Sequence, residues 1–204
     1  MTLDRFRPYA KGLVDPFVET ADRLGLGPDA VSVVALVMAG AAAVAFTLGG
    51  QVDPLWYLLG AAFVGLNGWL DVVDGALARH QGSASPAGDL LDHVLDRYAD
   101  ILFIAGLAAG TEEYLIGFAA VTGVLMTSYL GTQSQAVGLE RVYGGAVGRA
   151  DRIAMIGIVA LLAVPLSGAY AGLTIVGWLL VVLAVVGHLT ALQRFYHARR
   201  RLGS

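Results

Sequence analysis

Asp71, Asp74, Asp89, Asp92, Asp96 and Asp100 fall within one stretch of chain that is otherwise rich in apolar residues. A lone carboxylate inside a bilayer costs about 3 kcal/mol on insertion scales, so a set of them demands an offsetting partner. Asp71 and Asp74 are three residues apart, and Gly75 and Ala78 continue the same helical face. Gly88, Asp92 and Asp96 recur every four residues on the segment that follows. On two helices joined by one short turn, these residues form two facing carboxylate stripes. Four like charges this close would repel or protonate unless cations lay between them, and hard divalent ions suit an all-oxygen donor set. Magnesium or manganese is the expected filling. Gly75, Ala78 and Gly88 leave room for a ligand near the backbone, and Arg79 offers a two-pronged donor for phosphate. The pattern therefore predicts a two-metal phosphate site. Asp89 beside His93 and Asp100 beside Arg97 read instead as local pairs without chemistry. His80, His93, His188 and His197 have no paired metal-ligand spacing.

The elements that must carry these stripes follow from composition. The 204 residues are 57% hydrophobic and only 14% charged, which is too apolar for an ordinary soluble domain. There is no cysteine, which excludes disulfides, thiolate metal sites and a cysteine nucleophile. Six apolar stretches are long enough to cross a bilayer: Asp29 to Gly49, Leu55 to Ala78, Ala87 to Leu107, Tyr114 to Ala136, Arg152 to Pro165 extending into the following loop, and Leu173 to Phe195. Ahead of them, Leu3 to Leu24 interleaves Arg5, Arg7, Lys11, Asp15, Glu19 and Arg23 with Phe6, Leu13, Val14, Phe17 and Val18. That alternation predicts an amphipathic helix lying on the membrane surface. The expected fold is all-α and integral to the membrane, with six transmembrane helices plus this N-terminal juxtamembrane helix. One domain is expected over 1–204, divided into the surface helix (1–27), a six-helix core (28–198) and a basic tail (199–204).

Orientation follows from the basic residues. The loops Gly50 to Pro54, Thr111 to Glu113 and Leu166 to Ala171 contain no Lys or Arg, whereas all 13 basic residues lie toward the opposite side. The positive-inside rule then places both termini and the carboxylate stripes at the cytoplasmic face of a multi-pass protein of the cell (plasma) membrane.

Read in order, Asp71, Asp74, Gly75, Ala78, Arg79, Gly88, Asp92 and Asp96 match the whole signature of the CDP-alcohol phosphotransferases, and the six-helix layout resembles that family across nearly the whole chain. The resemblance implies a phospholipid synthase that moves a phosphatidyl or archaetidyl group from a CDP-lipid to an acceptor hydroxyl and releases CMP. It implies that Asp71, Asp74, Asp92 and Asp96 hold two divalent cations, Mg2+ or Mn2+. Asp96 would also be the catalytic base. Gly75, Ala78, Arg79, Ser85 and Gly88 would line the cytidine diphosphate. The segment Asp29, Ala30, Val31 and Ser32 resembles the nucleotide-side start of the family's first helix.

For the acceptor, Arg149, Arg152 and Arg194 resemble the positions at which the phosphatidylinositol-phosphate synthase branch grips a phosphate, and arginine forks suit a phosphomonoester. The segment from Ser128 to Gln135 also looks like that branch, yet Gly131 and Gln133 stand where Lys and Arg are expected. Inositol phosphate and glycerol phosphate both stay open as acceptors on this reading. The expected partners are the CDP-lipid donor, a small polar acceptor and membrane lipids, not nucleic acid. Arg199, Arg200 and Arg201 read as a tail for anionic headgroups. Gly117 and Gly123 read as close-packing positions, with a homodimer as the expected assembly. A cation or proton transporter is the rival from another class. It needs a polar path through the membrane, and the outer halves of the spans carry almost no polar residues beyond Ser and Thr.

Overall fold

The structure, a computed structural model, describes residues 7–140 and 148–203, with side chains from residue 12 onward. The first residues of the expected surface segment, with Arg5 and Phe6, and the basic residue Arg141 lie outside the described residues. The described residues form seven helices: α1 (Arg7–Arg23), α2 (Pro28–Gln51), α3 (Trp56–His80), α4 (Pro86–Thr111), α5 (Tyr114–Ala136), α6 (Arg149–Ala163) and α7 (Ile175–Leu202). Among the described residues there is no strand, only an isolated bridge between Tyr170 and Leu173.

Local chemistry sets several of the boundaries. Gly25 takes φ +69°, a conformation that side chains resist, and so turns the chain between α1 and α2. Pro28 then occupies the first turn of α2, where its missing N–H costs nothing. Ser85 caps α4 by accepting the Gly88 N–H at 3.2 Å, with Pro86 following it. That cap fixes where the second carboxylate stripe begins.

Packing relies on very close backbone approach, as expected where lipid gives little hydrophobic drive for helix association. α2 lies against both α3 and α4, and α5 lies against α7. A methyl group added at Gly50 would sit 2.0 Å from the carbonyl oxygen of Gly110, and one at Gly187 would sit 2.8 Å from the carbonyl carbon of Gly123. Gly117 is packed on Ala108 in the same way. Gly117 and Gly123 thus serve close packing between helices of one chain, as their small size predicts. Phe46, Phe103, Leu107, Ile156 and Leu180 are almost fully buried at the centre of the bundle.

Among the described residues four helices, α2, α3, α5 and α7, are long and apolar enough to cross a membrane. The sequence predicts six, and the difference has a physical cause in each remaining helix. α4 has 26 residues but carries the second carboxylate stripe and Arg97 in its first half. α6 has 15 residues. Its length of about 22 Å falls short of a hydrocarbon core of roughly 30 Å. The protein is therefore an all-α chain with several membrane-competent helices.

α1 buries one set of its side chains against α2 and α3. Val14, Val18 and Ala21 bury against Val31, Val73 and Leu77, while Phe17 stacks edge-on to Trp69 with centroids 5.3 Å apart and stays half-exposed. It straps the ends of α2 and α3 that frame the site.

Candidate active site

The starts of α2, α4 and α6 meet the ends of α3, α5 and α7 at one end of the bundle. There, one carboxylate oxygen each from Asp71, Asp92 and Asp96 lie within 4.8 Å of one another. Asp71 comes from the last turns of α3, and Asp92 and Asp96 come from successive turns of α4. Helical spacing produces this convergence, since i and i+4 on α4 share a face and α3 is antiparallel to it.

Asp74 stands apart from this trio. It is buried, and it accepts a hydrogen bond from Ser32 Oγ of α2 at 2.5 Å. The four expected ligands therefore divide into a tight group of three and a fourth held by a hydroxyl.

Arg149, the first residue of α6, lies across the trio. Its Nη1 is 2.9 Å from Asp71 and its Nη2 is 2.7 Å from Asp96. The guanidinium thus neutralises two of the three clustered carboxylates. Hard oxygen donors at this spacing fit a divalent ion such as magnesium or manganese, because each carboxylate supplies an anionic ligand and their mutual repulsion is relieved by the bound charge.

Beside the trio opens a cavity of about 260 Å³. Of the residues expected around a cytidine diphosphate, Asp29, Ser32, Gly75, Ala78, Arg79, Ser85 and Gly88 line it, together with Asp71, Asp74 and Asp92. Ala30 and Val31 do not. Val31 points the other way, into the cluster under α1, because α2 turns by about 100° per residue and Asp29 and Ser32 share the opposite face. Ala30 is exposed outside the cavity. Ser83, Ala84 and Asp89 also line it, and none of these was expected. Asp89 is thereby part of the cavity wall, in addition to its contact with His93 at 3.6 Å.

The expected acceptor arginines are not gathered in one place. Arg152 is buried and donates to Asp100 at 2.6 Å. Asp100 in turn faces Arg97 at 3.5 Å, and Arg97 reaches both Asp96 at 3.5 Å and the hydroxyl of Ser128. Arg194 donates to the Thr127 carbonyl at 2.7 Å, with one guanidinium nitrogen 3.0 Å from where a Cβ on Gly131 would be. Arg149 touches the carboxylate trio through Asp71 and Asp96, and Arg97 touches it through Asp96. The Asp100 pair is larger than expected, joining α4, α5 and α6 through two arginines. A further residue escaped the sequence reading: Asn67 is buried one turn before Asp71 on α3. Its spacing of four from Asp71 was the available signal, since it places the amide on the carboxylate face.

Residues 26–200 match the family model described as CDP-alcohol phosphatidyltransferase. The chain belongs to the CDP-alcohol phosphatidyltransferase family. It is accordingly a membrane-associated transferase of lipid synthesis. Its curated relatives include an archaetidylinositol phosphate synthase from Methanothermobacter thermautotrophicus, 33% identical over 98% of this chain and 95% of the relative. Another is a phosphatidylinositol phosphate synthase from Mycolicibacterium smegmatis, 32% identical over 96% of this chain and 87% of the relative. Among solved structures, a phosphatidylinositol phosphate synthase of Mycobacterium tuberculosis with CDP-DAG bound superposes with a TM-score of 0.73 at 25% identity, covering 91% of this chain and 92% of that one. The same enzyme in complex with manganese and citrate gives a TM-score of 0.76 at 23% identity, covering 91% and 88%, and supports the fold. Membership in this family of transferases sets aside the transporter reading of the buried carboxylates.

Proposed function

We propose that this member of the family transfers a phosphatidyl or archaetidyl group from a CDP-activated lipid to the hydroxyl of inositol phosphate and releases CMP. The observation that carries the proposal is the junction of the Asp71, Asp92 and Asp96 trio with the cavity of about 260 Å³ lined by Arg79, Ser85 and Gly88. Carboxylates that can hold cations, next to a space lined by small residues and one arginine, suit a pyrophosphate diester. The inositol phosphate products named for the relatives favour that acceptor over glycerol phosphate.

In this reading Asp71, Asp92 and Asp96 would hold one divalent cation, and Asp74 would complete the set for a second. Cations held there would supply charge that neutralises the pyrophosphate oxygens and stabilises the leaving CMP. Arg79 orients the diphosphate by forked hydrogen bonds. The acceptor oxygen attacks the lipid-side phosphorus, the bond to the CMP oxygen breaks with its electron pair, and Asp96 takes the acceptor's proton. Arg149, placed between the carboxylates and α6, grips the acceptor's phosphate. Arg152 shapes this region through Asp100, and Arg194 reaches it from α7 beside Gly131.

The finer architecture belongs to the same proposal. The chain is one domain, in which α4 and α6 join the four apolar helices as a six-span core. α4 crosses with its charged half at the site end, and α6 reaches across with the loop that follows it. α1 lies on the surface as the juxtamembrane helix, and 199–204 form the basic tail. Both termini and the site face the cytoplasm, because the loops at the far end carry no Lys or Arg. A homodimer is the proposed assembly.

The test is CMP release by purified protein with Mg2+ or Mn2+. Ester and ether CDP-lipids are paired with inositol phosphate, glycerol phosphates, inositol and serine. Release driven by inositol phosphate alone, abolished by EDTA and by Asp96→Asn, supports the assignment. Release driven by glycerol phosphate instead overturns the acceptor, and no release with any pair overturns the reaction.

A further inference from the structure

Beneath the carboxylate trio, on its membrane side, lies a second and much smaller cavity of about 10 Å³. Asp71, Asp74, Asp92 and Asp96 face it, as do Asn67 and Arg149. The volume is about that of one water probe, so it has room for a single water provided polar partners surround it.

The polar groups around this cavity leave a specific gap. Asn67 is 2% exposed, and its Nδ2 donates to the Ala35 carbonyl of α2 at 2.9 Å. A carbonyl can only accept, so this bond fixes which end of the amide is nitrogen. The oxygen Oδ1 is then the atom left over, and it is buried without a partner. The neighbouring carboxylates cannot supply a proton when ionised. The Ser32 hydroxyl is committed to Asp74, and both terminal nitrogens of Arg149 are committed to Asp71 and Asp96. Arg149 Nε is likewise buried with no partner. A buried acceptor without a donor is rare and costly in a native protein. One water in this cavity answers the need. It donates one proton to Asn67 Oδ1 and the other to a carboxylate, and its lone pairs remain available to a donor or a cation.

We propose that Asn67 is a positioning residue for the metal centre, holding a single buried water against the membrane side of the Asp71, Asp92 and Asp96 cluster. This rests on the reading of that cluster as a cation site. When a cation is bound, the same water would complete its inner coordination. Asn67 would aim the water's lone pair at the ion by accepting a hydrogen bond from it, as outer-shell partners commonly do for metal ligands. The Asn67 to Ala35 bond ties this water to α2, so the helix that begins the nucleotide cavity is registered to the metal centre through one amide.

The experiment uses the full-length protein in detergent, loaded with Mn2+ alone and equilibrated in ordinary or deuterated water. Mn2+ affinity is measured by titration, and bound water is counted from exchangeable proton couplings in electron–nuclear double resonance. In the wild type one set of water couplings is expected to persist when CDP is added, because the small cavity lies outside the one that receives the nucleotide. Asn67→Leu, close in size but without an acceptor, is expected to lose that set and to bind Mn2+ about 10-fold more weakly, within the range typical of outer-shell changes. Asn67→Ser, which keeps a hydroxyl acceptor, is expected to retain both. Asn67→Leu with wild-type affinity and unchanged couplings would overturn the proposal. So would loss of every water coupling on adding CDP to the wild type, an outcome that needs no variant to fold. A wild type that binds no Mn2+ would overturn the cation reading as well, which separates the two failures.

Discussion

Arg149→Ala separates two roles that pull in opposite directions. The Arg149 guanidinium is 2.9 Å from Asp71 and 2.7 Å from Asp96, and its side chain is only 17% exposed. A cation coordinated by Asp71, Asp92 and Asp96 competes with the guanidinium for two of these carboxylates, and it also meets the guanidinium's like charge. A hydrogen bond to a charged group contributes about 1.5–3 kcal/mol, and each 1.4 kcal/mol is tenfold in affinity. Giving up one of the two contacts therefore weakens cation binding by about 10- to 100-fold, and Arg149→Ala is expected to bind Mn2+ tighter by that factor. The assay is titration of purified protein with Mn2+ in detergent, following free Mn2+ by electron paramagnetic resonance, with no substrate present. Arg149→Lys keeps the charge but cannot fork across two carboxylates, so its affinity is expected to fall between the two. The same Arg149→Ala change is expected to raise KM for a phosphorylated acceptor by about 10- to 100-fold, from the loss of a charge-assisted contact. KM for the CDP-lipid should stay near the wild-type value. Thermal stability without metal should fall, since two clustered carboxylates lose their counter-ion, and should recover on adding Mg2+. Equal or weaker Mn2+ binding by Arg149→Ala would refute the competition between guanidinium and cation.

Asp96→Asn keeps the size of the side chain but removes its basicity, so CMP release is expected to fall by about 10²- to 10⁴-fold in a protein that still elutes as the wild type does; activity within tenfold of wild type would remove Asp96 as the base. Gly50→Ala places a methyl group 2.0 Å from the Gly110 carbonyl oxygen, where only backbone can give way. It is expected to cost about 1–3 kcal/mol by overpacking, read as a lowered Tm in detergent, and an unchanged Tm would show that α2 and α4 are not packed this closely. Gly131→Lys would push against the Arg194 guanidinium, 3.0 Å from the site of its Cβ. It is expected to weaken use of the phosphorylated acceptor without changing CDP-lipid KM, and an acceptor profile identical to wild type would show that neither residue reaches the acceptor.

The spacing of Asp71, Asp74, Gly75, Ala78, Arg79, Gly88, Asp92 and Asp96 was sufficient to predict two facing stripes, because helical periodicity converts sequence separation directly into a shared face. The helices were legible for the same reason that membrane spans generally are: a bilayer demands long apolar segments, and the breaks at Gly25 to Pro28 and Ser85 to Pro86 carry their own turn and cap chemistry. Three features were set only by tertiary contacts. Periodicity alone did not divide the aspartates into a trio and a separate Asp74; the Ser32 hydroxyl on another helix did. The partners of Arg149 and Arg152 are 52 to 78 residues away in sequence, so two arginines three positions apart on α6 serve different carboxylates, one at the open cluster and one buried with Asp100. Asn67 looks in sequence like one polar residue in an apolar span, and its meaning appears only when the Ala35 carbonyl accepts from its nitrogen and leaves its oxygen buried without a partner beside the cavity that the carboxylates line. Local spacing fixes which face of a helix a side chain occupies, but which helix that face meets depends on backbone approach at small residues such as Gly50, Gly110, Gly123 and Gly187. That choice, made between segments far apart in the chain, turns a pattern of carboxylates into a site.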